Sequence, residues 1–191
     1  AQLSGKDKKS ESLFTSVRSI LGIKGNFGNV YTSFGTPVML TNHLDNNNPS
    51  WPVQEYDDEH RPEWLMNTVN DIADHIMVNI NRAAHVNPIN LVSTVLLATP
   101  KQHMDENQLA AMIEIYSQLI NSLDYSDKII VTSLTGKQHI KHAESLKRVK
   151  RRMHKMGDII YLDARNMVLL TYYRNNILHL TALPSVIACC F

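Results

Sequence analysis

The sequence predicts an α+β protein, mainly helical, with one β-hairpin. Three observations carry that reading. Apolar residues recur at helical spacing from Leu65 to Ile80 and again from Leu109 to Leu123. Two short runs rich in Ile, Val, Leu and Tyr flank the polar stretch Asp163-Ala164-Arg165-Asn166, a hairpin signal over residues 158–171. The composition changes near residue 60, from turn-formers to amphipathic helix.

In chain order, Ala1 to Glu11 is rich in Lys, Ser, Asp and Gly and reads as linker. Leu13, Phe14, Val17, Ile20 and Leu21 have helical spacing, with Gly22 as the stop. Gly25 and Gly28 mark a turn before the run Asn29 to Phe34, which reads as a strand ended by Gly35-Thr36-Pro37. Residues 42–61 read as loop. Asp45-Asn46-Asn47-Asn48-Pro49 is nearly all turn-formers, Asp57-Asp58-Glu59 follows, and Pro52 and Pro62 discourage regular structure.

After Pro62, Leu65, Val69, Ile72, Ile76 and Ile80 form one apolar stripe of a long helix. Asn87-Pro88 is a cap followed by proline at the first helical position, opening a helix to Ala98. Asp105 caps a third helix. Lys137 to Met153 reads as a fourth, more polar one, and the hairpin and a last apolar helix complete the chain. The expected organisation is residues 1–60 as one part and residues 61–191 as a helical region with the hairpin.

Composition bounds the function. The chain has 191 residues and a formal net charge of +1, so no global field argues for nucleic acid. The two cysteines, Cys189 and Cys190, are adjacent and form no disulfide framework, which favours a reducing compartment. They also lack metal-ligand spacing. The apolar run from Ile177 is too short for a membrane span and contains His179 and Pro184. Ala1 in place of an initiator Met, and an end inside the apolar run at Phe191, suggest a piece of something longer.

Few residues suggest chemistry. Most of the nine histidines stand apart, and His139 and His142, one turn apart, have no partner ligands at metal spacing. Asp71 and Asp74 read as a solvated pair on a helix. Gly25-x-x-Gly28 lacks the Gly-Lys-Ser/Thr of a phosphate loop, and no Gly-x-Ser-x-Gly elbow occurs. No cofactor is expected.

Two features remain. The run from Lys147 to Lys155 is strongly basic, and its Lys150, Arg151 and Arg152 could meet an anionic membrane surface; the bland alternative is a solvated helix end. The knot Arg174-Asn175-Asn176, with His179, sets polar groups beside apolar sequence. If residues 173–190 are one helix, Asn175 and His179 share a face and Arg174 projects about 100° away. That favours bracing, with Arg174 on a carboxylate or on helix-end carbonyls. The alternative makes Arg174 a substrate-binding residue that holds a phosphate in its planar fork.

The segment Thr171-Tyr172-Tyr173-Arg174-Asn175-Asn176-Ile177-x-His179, followed by Leu183-Pro184-Ser185, resembles the bacterial membrane-associated glycerol-3-phosphate acyltransferase family. So do Gly157-Asp158-Ile159-Ile160, Arg61-Pro62-x-Trp64-Leu65 with Thr68-Val69-Asn70-x-Ile72-Ala73, and Val30-Tyr31-x-x-Phe34-Gly35-x-Pro37. The last of these looks like the strand and turn near the end of that family's α/β acyltransferase core. The resemblance implies that residues 1–60 are linker and the end of that core, and that residues 61–191 follow it.

It implies acyl transfer from acyl-CoA or acyl-carrier protein to the 1-hydroxyl of sn-glycerol 3-phosphate, in phospholipid synthesis, peripherally at the cytoplasmic face of the bacterial inner membrane. The family's base lies in a His-x-x-x-x-Asp motif. Here the position five after His43 is Asn48, after His85 it is Asn90, and after His139 it is Glu144. The motif is absent from the chain, so no catalytic residue is assigned and the chain alone is expected to be inactive. The competing reading is a non-catalytic helical interaction or regulatory module.

Overall fold

The computed structural model describes residues 28–55 and 61–191. The expected helix over Leu13 to Leu21, the lead-in before it, Gly25 and the Asp57-Asp58-Glu59 stretch lie outside those residues. The described chain is mainly helical with two small sheets, as its class predicts.

The elements in order are α1 (Leu40–Asn47), α2 (Glu63–Arg82), β1 (His85–Val86), α3 (Pro88–Ala98), β2 (His103–Asp105), α4 (Glu106–Ser122), β3 (Ile130–Val131), α5 (Gly136–Ser145), β4 (Lys150–Arg152), β5 (Ile159–Tyr161), α6 (Ala164–Asn175) and α7 (Leu178–Cys189). A 3₁₀ turn, Pro100–Gln102, joins α3 to β2. Strands β1 and β3 pair in parallel. Strand β5 lies between β2 and β4, antiparallel to both.

Helix α3 is the hub. Nine of its eleven residues are buried, so it is covered on all sides rather than along one stripe. It packs against α4, α5 and α6. Its start is doubly capped. The Asn87 side chain accepts from the amides of Ile89 and Asn90, and Asn90 Oδ1 accepts from the Asn87 amide at 2.8 Å. Asn90 Nδ2 also donates to the Tyr173 carbonyl, which ties α3 to α6. Leu91, Val92 and Leu96 are fully enclosed, with Leu109, Ile113, Ile140, Ile160 and Leu170 from the surrounding elements. The α4–α5 approach is close. A Cβ on Gly136 would stand 2.2 Å from the Ala110 carbonyl oxygen, so only glycine fits there.

Four expectations are corrected. Residues 29–34 form no strand: Val30 and Phe34 are over nine-tenths exposed, and no strand lies alongside them among the described residues. A strand without a neighbour has no ladder to hold it. Tyr31 instead stacks on His85 with ring centroids 3.5 Å apart. Within the expected loop 42–61, the turn-formers include helix α1. It packs on α2 and is closed by Trp51 Nε1 donating to Asp45 at 2.8 Å. Tertiary contact overrides poor helix propensity here.

The expected fourth helix stops at Ser145. Lys147 takes a left-handed backbone, and the chain turns into β4. The hairpin over 158–171 is the fourth correction. Its first arm is real, as β5, but its partner is the earlier β4, and the second arm is helix α6. The stretch read as a turn is an N-cap. Asp163 accepts from the Asn166 amide at 2.9 Å. Aspartate followed by Asn three residues later suits a turn and a helix start equally well.

Candidate functional site

The cluster Asp71, His43 and His75 is built from α1 and α2. Asp71 and His75 are four residues apart on α2, so they share a face. Helix α1 lays His43 against that face, nearly buried. Asp71 Oδ2 stands 2.5 Å from His43 Nδ1, and His43 Nε2 stands 3.2 Å from His75 Nδ1. The His43 hydrogen bond, more than any other influence, holds the Asp71 carboxyl below its usual range.

The three groups form a chain rather than a cage. Each nitrogen of His43 is occupied, so the cluster does not converge on a point where a metal would sit. At the Asp71 end the direction follows from donor and acceptor types. The carboxylate can only accept, so His43 Nδ1–H donates to it. His43 Nε2 and His75 Nδ1 share the second hydrogen bond, and His75 Nε2 is the ring nitrogen without a partner among the described residues.

His75 lines a cavity of about 800 Å³ between the second half of α2, the 33–36 segment and the 125–128 loop. Asn79 and Arg82 follow His75 on the same face of α2, and Lys128 of the 125–128 loop lines the same cavity. Neither Arg82 nor Lys128 pairs with a carboxylate among the described residues. Asp127 is the acidic residue in the wall.

The basic run is drawn inward. The Arg151 guanidinium binds Glu106, Glu144 and Asp158 at 2.7–2.8 Å. Those hydrogen bonds raise its pKa far above the ordinary value, and Arg151 in turn holds the Glu106 carboxyl low. Lys150 pairs with Asp163 at 2.9 Å, and Arg152 lies over the Tyr161 ring. Alternation along β4 thus sends Arg151 to one face and Lys150 and Arg152 to the other.

The polar knot is broken up as well. Helix α6 ends at Asn175 and α7 begins at Leu178, so residues 173–190 are not one helix. Arg174 reaches only the Asn175 side chain, with Nη2 to Oδ1 at 3.1 Å, and finds no carboxylate among the described residues. His179 goes elsewhere: its Nε2 donates to the Asn81 carbonyl at 3.0 Å and fastens α7 to the end of α2. Burial lowers its pKa, the Asn81 carbonyl opposing. His139 is wholly buried in α5, and burial lowers its pKa too. Neither of its ring nitrogens has a well-formed hydrogen bond, although backbone groups of Leu134 and Pro88 oppose the shift.

Sequence reasoning missed the Asp71–His43–His75 chain. The available signal was Asp71 and His75 at helical spacing four; nothing local joined His43 to them across 28 residues.

A family model described as the glycerol-3-phosphate acyltransferase C-terminal region matches residues 1–191. The chain belongs to that family. Among its curated relatives is a glycerol-3-phosphate acyltransferase of Pseudomonas paraeruginosa, strain DSM 24068 / PA7. The two are 38% identical over 190 residues, all of this chain and 23% of the relative. One from Xylella fastidiosa, strain 9a5c, is 42% identical over 193 residues, again all of this chain and 22% of the relative. Another from Ectopseudomonas mendocina, strain ymp, is 37% identical over 190 residues, covering the whole chain and 23% of the relative. The chain thus spans under a quarter of the length of these relatives. The residues that carried the resemblance are spread from the 30–37 segment to α7, which fits a match along the whole chain.

Proposed function

We propose that this chain serves a glycerol-3-phosphate acyltransferase as its C-terminal region. In that reading the whole enzyme moves an acyl group from acyl-CoA or acyl-carrier protein to the 1-hydroxyl of sn-glycerol 3-phosphate. The single observation behind it is the family match over residues 1–191. The chain lacks the His-x-x-x-x-Asp base, so its part is to shape and support a reaction whose base lies elsewhere. Residues 1–60 are then linker and the end of the acyltransferase core, and residues 61–191 the helical region that follows.

Two finer assignments belong to this proposal. Arg174 holds a phosphate; its guanidinium has no carboxylate partner among the described residues and keeps donors to spare. An anionic membrane surface meets the chain through Lys150 and Arg152 more than Arg151, whose donors are taken up by three carboxylates. The proposed placement is peripheral, at the cytoplasmic face of the inner membrane; no helix among the described residues is long and apolar enough to cross a membrane.

Incorporation of radiolabelled glycerol 3-phosphate into lipid tests the reading. The whole protein is expected to turn over and the 191-residue chain alone is not. Turnover by the chain alone would place the base within it and overturn the division of labour. In the whole protein, Arg174→Lys is expected to raise KM for glycerol 3-phosphate at an unchanged Tm. A lowered Tm with normal kinetics would make Arg174 a bracing residue. Sedimentation with anionic vesicles tests the membrane contact: Lys150→Gln with Arg152→Gln is expected to weaken binding, and unchanged binding would remove that surface.

A further inference from the structure

We propose that the outward apolar stripe of α2, running from Met66 to Ile80, is the surface by which this chain docks on an apolar face of the remainder of the whole acyltransferase. The inference rests on the reading of the chain as one region of that longer enzyme. It concerns how the regions hold together, not the reaction.

The first observation is the way α2 faces. Met66, Val69, Ala73, Ile76, Met77 and Ile80 fall within an arc of about 100° on the helix. All six are exposed, and Met66, Val69, Met77 and Ile80 are each more than half exposed. Among the described residues, α1 is the helix that packs along α2. It takes the opposite face, which carries buried Thr68 and engages His43 through Asp71 and His75. The polar face is turned in and the apolar face out. An amphipathic helix in a protein gains most of its stability by burying its apolar face. Packing on α1 alone would therefore favour the reverse orientation. A contiguous exposed apolar stripe on a helix of twenty residues marks an interaction surface.

The second observation is charge, which selects the class of partner. Helix α2 carries Glu63, Asp71 and Asp74 against Arg82 alone. Glu63 and Asp74 lie along one border of the stripe. A helix that lies in an anionic bilayer surface has Lys and Arg on its polar face. This helix would bring carboxylates to the headgroups, so its stripe suits an apolar protein surface and not that of an anionic membrane.

The third observation concerns what lies outside the structure. The chain spans under a quarter of the curated relatives it matches, and the family match over residues 1–191 includes all of α2. Two regions of one polypeptide meet at a high effective concentration. A single helical stripe is then enough to join them. A second copy of the chain would have to be recruited from solution, against the loss of translational and rotational freedom.

Four methionines provide the test. Met66 and Met77 lie on the stripe, and Met153 and Met156, between β4 and β5, are exposed controls. Oxidation of a thioether to the sulfoxide is read by peptide mass spectrometry after brief treatment with hydrogen peroxide. In the 191-residue chain all four are expected to oxidise at similar rates. In the whole protein, without lipid, Met66 and Met77 are expected to oxidise several-fold more slowly while Met153 and Met156 continue to react. Val69→Gln with Ile76→Gln is expected to leave the Tm of the chain unchanged and to restore oxidation of Met66 and Met77 in the whole protein. The proposal is overturned if Met66 and Met77 react as fast in the whole protein as in the chain. Protection that appears only with anionic vesicles would overturn it in favour of lipid. Protection already present in the chain alone would overturn it too, in favour of a second copy if it rises with concentration and of the chain's own residues if it does not. Equal oxidation in a whole protein that still transfers acyl groups would remove this surface and leave the proposed function standing. Protection in a whole protein without turnover would do the reverse.

Discussion

Helices α2 and α3 both show apolar residues at helical spacing, and they end in opposite environments. Helix α3 buries nine of eleven residues. Helix α2, with twenty residues, buries only Thr68, and Met66, Val69, Met77 and Ile80 are each more than half exposed. Apolar spacing marked α2 and the Asn87-Pro88 cap marked α3, but neither could say how many faces a helix covers. Composition could. Helix α3 carries no charged residue and α2 carries several, and a helix apolar all round belongs at the centre of a fold. The difference divides the labour. Helix α3 holds the molecule together, and α2 is a platform whose polar face presents Asp71, His75, Asn79 and Arg82.

Substitutions on the two helices should therefore differ most. Leu91→Ala in α3 is expected to cost about 2–5 kcal/mol, because it opens a cavity among fully enclosed neighbours. Val69→Ala on α2 is expected to stay within about 0.5 kcal/mol. Chemical denaturation of the two variants checks both, and a similar loss in each would erase the distinction.

The Arg151 network supplies the next effect. Removing the guanidinium as Arg151→Met leaves Glu106, Glu144 and Asp158 crowded without their cation. With about a quarter of each side chain still exposed, the cost is expected near 2 kcal/mol rather than that of a fully buried pair. The folded-state pKa of Glu106 is depressed, so the stability it contributes is present above the ordinary carboxylate range and is lost as pH falls through the folded value. Thermal melts should show the Arg151→Met penalty shrinking in acid. A constant penalty would remove the ionic account.

A smaller effect separates the buried histidine from the exposed ones. Burial depresses the pKa of His139, so below about pH 6.5 the unfolded chain binds a proton that the folded chain resists. Stability should fall as pH drops below that value and level off below the folded pKa. His139→Leu is expected to lessen that loss and to leave Tm at neutral pH the same or higher, since a buried imidazole without well-formed hydrogen bonds contributes little. An unaltered pH dependence would contradict it. The cap adds a modest effect: Asn87→Ala is expected to cost about 1 kcal/mol at the start of α3.

The legible part of the fold was local. Asn87-Pro88 and Asp105 announced α3 and α4 correctly because a cap and an apolar stripe lie within a few residues of each other. The lost parts were set by distant partners. Strand β5 was visible, but nothing in its sequence chose β4 over the run that became α6. Helix α1 formed from turn residues because α2 lay beside it. The basic run could not reveal three carboxylates spread over 52 residues. His43 was an unremarkable loop histidine until α1 carried it to Asp71.

Native-state hydrogen exchange tests most directly whether α3 is the hub and α2 the platform. Amides in the middle of α3 are expected to exchange only through global unfolding, with a denaturant dependence equal to that of the whole chain. Amides from Asp71 to Arg82 are expected to exchange through smaller openings of lower free energy. Equal protection of the two helices, or α3 opening before α2, would contradict this division.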